Sequence, residues 1–113
     1  VGTGPTAKTV ETVLARANHT CERCGRAGQP CQVHHRRPRG MGGSRRPGTN
    51  KPSNLLLLCA PCHTAVESSR QISHEQGWLV RQEHDPADRA VWVARRGWVF
   101  LDDNGNYENE EAA

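Results

Sequence analysis

VHHRRPRGMGGSRRPGTNKPSNLLLLCAPCH, residues 33–63, holds an adjacent histidine pair (His34, His35), an asparagine (Asn54) and a third histidine (His63) directly after a Cys-x-x-Cys. A second such pair, Cys21-Glu22-Arg23-Cys24, lies just upstream. Two pairs at this internal spacing, Cys21/Cys24 and Cys59/Cys62, read as four thiolates around one tetrahedral zinc, because each short loop offers two sulfurs from one side of the ion. The zinc would act as a staple. It would hold a strand carrying two histidines against a turn and helix carrying the third. Paired imidazoles, an amide and another imidazole in one place are the groups that metal-assisted phosphodiester hydrolysis needs.

The rest of the composition agrees with a stapled fold. A chain of 113 residues is expected to be one domain, and with 35% hydrophobic residues it has little material for a large core, so a metal or disulfides should be needed for stability. Five cysteines make an odd number, and four fall at metal-type spacing. A disulfide framework is therefore the poorer reading, and a reducing, intracellular setting follows. No long apolar run and no secretory signal pattern is present, so a soluble, cytoplasmic protein with no membrane partner is expected. The formal net charge is only +3, but its distribution is uneven. Arg36, Arg37, Arg39, Arg45, Arg46 and Lys51 form a basic block without an acidic residue, whereas Asp102, Asp103, Glu108, Glu110 and Glu111 crowd the C-terminal end. A basic block beside a metal site suits a polyanion, and its alternative is a solvated loop.

Val10, Val13, Leu14 and Ala17 fall at helical spacing and predict an amphipathic helix from about Thr6 to Asn18, with Thr6 as N-cap and Arg16 at the end where cations suit the helix dipole. His19 reads as an exposed terminal histidine and Cys31 as a small semi-buried thiol. Residues 32–36 predict a short strand. Neighbouring side chains of a strand face opposite ways, so His34 and His35 should divide their work: one can point to a metal while the other addresses an attacking water. Residues 37–53 read as a long Gly-, Pro- and Arg-rich loop whose glycines permit close approach to a ligand and whose arginines can grip phosphates. The Asn54 amide can cap or brace that loop. Pro61 suits the first turn of a helix running to about Arg70, which places Glu67 on the same face as His63. Beyond residue 72 the runs 78–80, 90–93 and 98–101 predict β structure, a hairpin or small antiparallel sheet. His74 and His84 read as solvated, and residues 102–113 as a frayed acidic tail.

The order Cys21-Glu22-Arg23-Cys24-Gly25, Val33-His34-His35 with the Gly42-Gly43 loop, and Asn54-Leu55-Leu56-Leu57-Leu58-Cys59-Ala60-Pro61-Cys62-His63 resembles the HNH endonuclease family over about residues 20–70. The resemblance implies an α+β fold: a small zinc-stapled ββα-metal (His-Me finger) domain over residues 1–72, with an N-terminal helix. Residues 73–113 would add the β extension and acidic tail to the same compact unit. It also implies that His34 and His63 hold a catalytic divalent ion and that His35 is the general base. Asn54 would keep that base oriented, and cleavage would leave 5′-phosphate and 3′-hydroxyl ends. Many members carry Asp where this chain has His34, which bears on which metals fit. Glu67 is a further candidate contact to the ion or its water. The expected cofactors are a structural Zn²⁺ on Cys21, Cys24, Cys59 and Cys62 and one catalytic ion among Mn²⁺, Ni²⁺, Co²⁺, Zn²⁺ and Mg²⁺. The expected partner is DNA, held by Arg36, Arg37, Arg39, Arg45, Arg46 and Lys51. The small size is similar to stand-alone bacteriophage HNH proteins, which leaves partners in phage packaging or recombination open and would put the protein in the host cytoplasm.

The rival reading is a non-catalytic zinc-ribbon module that binds nucleic acid or protein, or a structural subunit of a larger assembly. A ribbon explains the cysteines and arginines but not the joint presence of His34, His35, Asn54 and His63. The 34 residues between Cys24 and Cys59 also exceed the roughly 15–20 expected of such ribbons.

Overall fold

The computed structural model describes residues 4–38 and 48–109. Helix α1 (Ala7–Ala17) opens as predicted. Thr6 is extended and its hydroxyl accepts from the Thr9 amide at 3.2 Å, satisfying one of the donors that a helix start leaves without a partner. It closes at Asn18, in the left-handed region at φ 53°. Val13, Leu14 and Ala17 of its apolar stripe pack with Leu55, Leu57 and Val33.

Strands β1 (Cys31–His35) and β2 (Leu55–Cys59) pair antiparallel, with Cys31 opposite Cys59 and His35 opposite Leu55. All five residues of β2 are buried. The period of two explains the four consecutive leucines: Leu55 and Leu57 face α1, whereas Leu56 and Leu58 face a second cluster with Val66, Trp78 and Leu79. Helix α2 (Ala60–Ser68) follows β2 directly, with Pro61 in its first turn. The single helix predicted to about Arg70 is broken at Ser69, and α3 (Arg70–Glu75) follows. The buried Ser73 hydroxyl donates to the Val66 carbonyl at 2.8 Å, which replaces a partner lost at the break.

Strands β3 (Val91–Val93), β4 (Gly97–Leu101) and β5 (Tyr107–Asn109) form an antiparallel sheet in that order. Val91, Val93, Val99 and Leu101 enter the cluster of Leu56 and Leu58. Trp92 and Trp98 face each other across the strands on the outer side, 41% and 38% exposed.

Two expectations downstream of residue 72 need correction. Trp78, Leu79 and Val80 are buried but form no strand. Their backbone is satisfied singly instead: the Leu79 amide donates to the Ser73 carbonyl and the Val80 amide to the Arg36 carbonyl. Gly77 makes this path available, because its φ is +80° and a Cβ there would overlap the Ala90 carbonyl oxygen. The supposed frayed tail contains β5, anchored by the Tyr107 hydroxyl, which donates to Glu22 Oε2 at 2.6 Å; residues 110–113 lie outside the described residues.

Arg16 departs from its reading as a helix-end cation. It is buried, its Nε and Nη2 donate to the Glu22 carboxylate at 2.9 and 2.8 Å, and its Nη1 and Nη2 reach the Pro52 and Leu55 carbonyls. Glu22 Oε1 also accepts from the Leu57 amide at 2.8 Å. One buried carboxylate thus ties α1, the first cysteine loop, β2 and β5 together. Burial and that carboxylate raise the Tyr107 phenol well above its ordinary value. Among the described residues no helix is long and apolar enough to cross a membrane.

Candidate active site

Two groups of ligating side chains converge at the β1–β2–α2 junction. Cys21 and Cys24 come from the loop after α1, Cys59 from the end of β2 and Cys62 from the first turn of α2. Their sulfurs lie within 4.8 Å of one another. The Cys24 and Cys59 sulfurs are 3.8 Å apart, the edge length of a tetrahedron whose Zn–S bonds are about 2.3 Å. The donor set therefore fits a structural zinc. Gly25, at φ +80°, closes the first loop, its amide donating to the Cys21 carbonyl at 2.8 Å. Burial, which alone raises the Cys21 thiol, is outweighed by backbone hydrogen bonds from Cys59, Cys24 and Arg23, and Cys21 falls to about 7. Burial pushes Cys62 up to about 12. A bound cation would draw the protons off all four, so metal uptake is tied to proton release. Arg23 Nη1 donates to Cys62 Sγ at 3.3 Å while its guanidinium lies 4.7 Å from the Trp78 ring centroid. Cys31 is half-buried, opposite Cys59 and outside the four-sulfur group.

The second group is His34, His63 and Glu67, with one ligating atom of each within 4.8 Å of the others. His34 leaves β1 on its buried side, and His63 and Glu67 stand one turn apart on α2. The Nε2 of His34 is 2.9 Å from the Trp78 carbonyl oxygen. A carbonyl only accepts, so Nε2 carries the proton and Nδ1 carries the lone pair that an ion can take. Burial, and after it the neighbouring His63, lowers the His34 pKa below its ordinary value, despite the opposing Trp78 hydrogen bond. That keeps the ring in its neutral, ligating form. The His34 and His63 rings meet edge to face at 5.4 Å. Glu67 is exposed and also accepts from Arg70 at 2.9 Å. Two imidazoles and a carboxylate fit a divalent ion with positions left for other ligands.

His35 leaves the strand on the opposite side, half-buried, with its Nε2 2.8 Å from Asn50 Oδ1. Asn54 is fully buried. Its Oδ1 accepts from the Arg37 amide at 2.7 Å, and its Nδ2 donates to the carbonyls of Arg37 and Thr49 at 3.3 and 2.8 Å. It braces the two ends of the loop, as the sequence suggested. Asn50 carried no sequence signal beyond being a polar turn residue in a basic loop.

The arginines divide by burial. Arg36 was expected to face DNA, yet it is 0% exposed, and its guanidinium donates to the carbonyls of Gly77, Ser53, Pro86 and Arg89 at 2.8–3.0 Å. Burial, reinforced by Arg16, depresses its pKa to about 9. A cation so enclosed stitches β1 to the 77–89 segment and cannot reach a phosphate. Arg37 is also buried, its Nη1 donating to the His84 carbonyl at 2.7 Å. Lys51 is exposed, and Arg39, Arg45 and Arg46 lie outside the described residues. His19 is exposed, as expected, whereas His74 and His84 are half-buried.

The HNH endonuclease family model matches residues 21–69, a span that begins at the first cysteine of the zinc group and includes His34, His35, Asn54, His63 and Glu67. No curated protein and no solved structure matches the chain.

Proposed function

We propose, with the HNH match over residues 21–69 as premise, that the protein is a metal-dependent DNA endonuclease. One observation carries this reading: His34, His63 and Glu67 converge into an ion-sized group, while the adjacent His35 stands on the other side of the strand. The zinc-ribbon alternative gives no reason for that division.

His35 accepts a proton from a water molecule, whose oxygen attacks phosphorus in line with the 3′ oxygen. The P–O3′ bond opens, and the departing oxygen takes a proton from solvent, leaving 5′-phosphate and 3′-hydroxyl ends. A divalent ion on His34 and His63, with Glu67 or its water as a third contact, would stabilise charge developing on the phosphoryl and leaving oxygens. The imidazole pair favours Mn²⁺, Co²⁺, Ni²⁺ or Zn²⁺, and Glu67 with phosphate oxygens makes Mg²⁺ usable. Arg39, Arg45, Arg46 and Lys51 hold the DNA backbone in this reading, and the buried Arg36 and Arg37 do not.

Supercoiled plasmid, purified zinc-loaded protein and a series of divalent ions test the proposal. His34→Ala should lose cleavage and regain part of it in excess metal. His35→Ala should bind metal and DNA normally and cut about 10²–10⁴-fold more slowly, with no recovery in excess metal. Undiminished cleavage with both histidines replaced defeats the assignment.

A further inference from the structure

We propose that Asn50 is the positioning residue of His35: it fixes the ring in its Nε2–H form and makes Nδ1 the atom that takes the proton from water. The inference rests on the nuclease reading for its catalytic consequence, and on the described geometry alone for the ring itself.

The contact joins His35 Nε2 to the side-chain oxygen of Asn50 at 2.8 Å. An amide oxygen has no proton to give, so the hydrogen in this bond belongs to the imidazole, and the lone pair of the neutral ring lies on Nδ1. Asn50 is itself framed from both sides. The carbonyl of Thr49, the residue before it, accepts from Asn54 Nδ2 at 2.8 Å, and the carbonyl of Lys51, the residue after it, accepts from the Asn54 amide at 2.9 Å. Asn54 is fully buried and also holds Arg37, two residues beyond His35. The order of action is therefore from Asn54 to the 49–51 turn, from the turn to Asn50 Oδ1, and from there to the ring. Asn54 also holds the chain beside His35, its carbonyl accepting from the Arg36 amide at 2.8 Å, but it is Asn50 that touches the imidazole. When Nδ1 gains the proton released by water, the Nε2–H bond to Asn50 persists, and its oxygen dipole faces the new positive charge.

The test separates ring state from activity. Asn50→Asp keeps an acceptor oxygen at the same reach, whereas Asn50→Leu keeps the approximate volume and removes the acceptor. Ring ¹⁵N spectra of the zinc-loaded full chain, recorded where imidazoles are neutral and assigned by loss of the His35→Ala signal, should show the Nε2–H form in wild type and Asn50→Asp. Asn50→Leu should show a mixture of the two tautomers. In plasmid cleavage, Asn50→Leu should lower kcat about 10–100-fold with KM unchanged, Asn50→Asp should restore most of it, and Asn50→Leu should add no loss in a His35→Ala background. An Nδ1–H ring in wild type, or an Asn50→Leu protein with wild-type ring spectrum and wild-type kcat, overturns the proposal. A wild-type protein that cuts no DNA with any divalent ion overturns the nuclease reading, while the ring spectra still decide the Asn50 contact.

Discussion

Replacing Glu22 with glutamine should remove a large share of the protein's stability, although it changes one atom type in a residue no sequence motif singles out. Four hydrogen bonds end on this carboxylate: two from Arg16, one from the Leu57 amide and one from the Tyr107 hydroxyl, at 2.6–2.9 Å. The side chains of Arg16 and Glu22 are 0% and 1% exposed, so solvent does not screen the pair. Glutamine presents an NH₂ group where donors now converge and leaves the Arg16 guanidinium buried without a counter-charge. Breaking a buried pair from one side costs about 3–5 kcal/mol, against a total of about 5–15 kcal/mol for a typical domain. With a urea dependence of about 2 kcal/mol/M, the midpoint should fall by about 1.5–2.5 M. The measurement is urea unfolding by circular dichroism at a fixed excess of free zinc, so that metal linkage is the same for each variant. Arg16→Met should cost less in the Glu22→Gln background than in wild type, because the stranded charge goes with it. A midpoint shift below about 0.5 M for Glu22→Gln, with zinc still bound, refutes the reasoning.

Cys59→Ser should release the structural zinc and unfold much of the domain, read by elemental analysis and circular dichroism, since metal-binding free energy in such sites is folding free energy; a folded, zinc-free variant contradicts this. Gly77→Ala should destabilise by more than about 2 kcal/mol in the same urea assay, from the left-handed backbone and the overlap with the Ala90 carbonyl; a neutral result refutes the geometry. Asn54→Ala should unfasten the loop ends and lower kcat for plasmid cleavage while zinc stoichiometry stays at wild type; unchanged kcat would make the brace irrelevant to catalysis. Neutralising Arg45 and Arg46 should weaken binding to all DNA sequences and reduce its salt slope by about one to two charges' worth; an unchanged slope removes them from the interface.

The metal-type residues were legible because their chemistry fixes their spacing. Two Cys-x-x-Cys pairs and a histidine on the residue after the last cysteine leave few three-dimensional arrangements. The α1 stripe and the division of His34 from His35 were legible because periodicity in helices and strands is geometric. Buried charge was not. Arg16, Glu22 and Arg36 look in sequence like any solvated ion, and Arg36 sits in a run of arginines that reads as a grip on phosphates; only the carbonyls of Ser53, Gly77, Pro86 and Arg89, distant along the chain, make it internal. Trp78–Val80 read as a strand because burial and β composition coincide there, yet the segment finds single partners rather than a ladder. Asn50 was invisible for the reason that makes it useful: its place is set by Asn54, four residues on, and no local pattern encodes which way its amide turns.

Asn54 bonds to Arg37 on one side and Thr49 on the other, so the segment between those residues is closed at its neck by an interaction that does not depend on what the segment contains. It is in effect a cassette. Since doubling the length of a closed loop costs only about 0.6 kcal/mol, insertions between those two residues should leave the Asn54 clamp standing. On the proposed nuclease reading, the grip on DNA and the chemistry of cutting it would fall to separable parts of one small domain. Grafted loops could redirect the first while leaving the second in place.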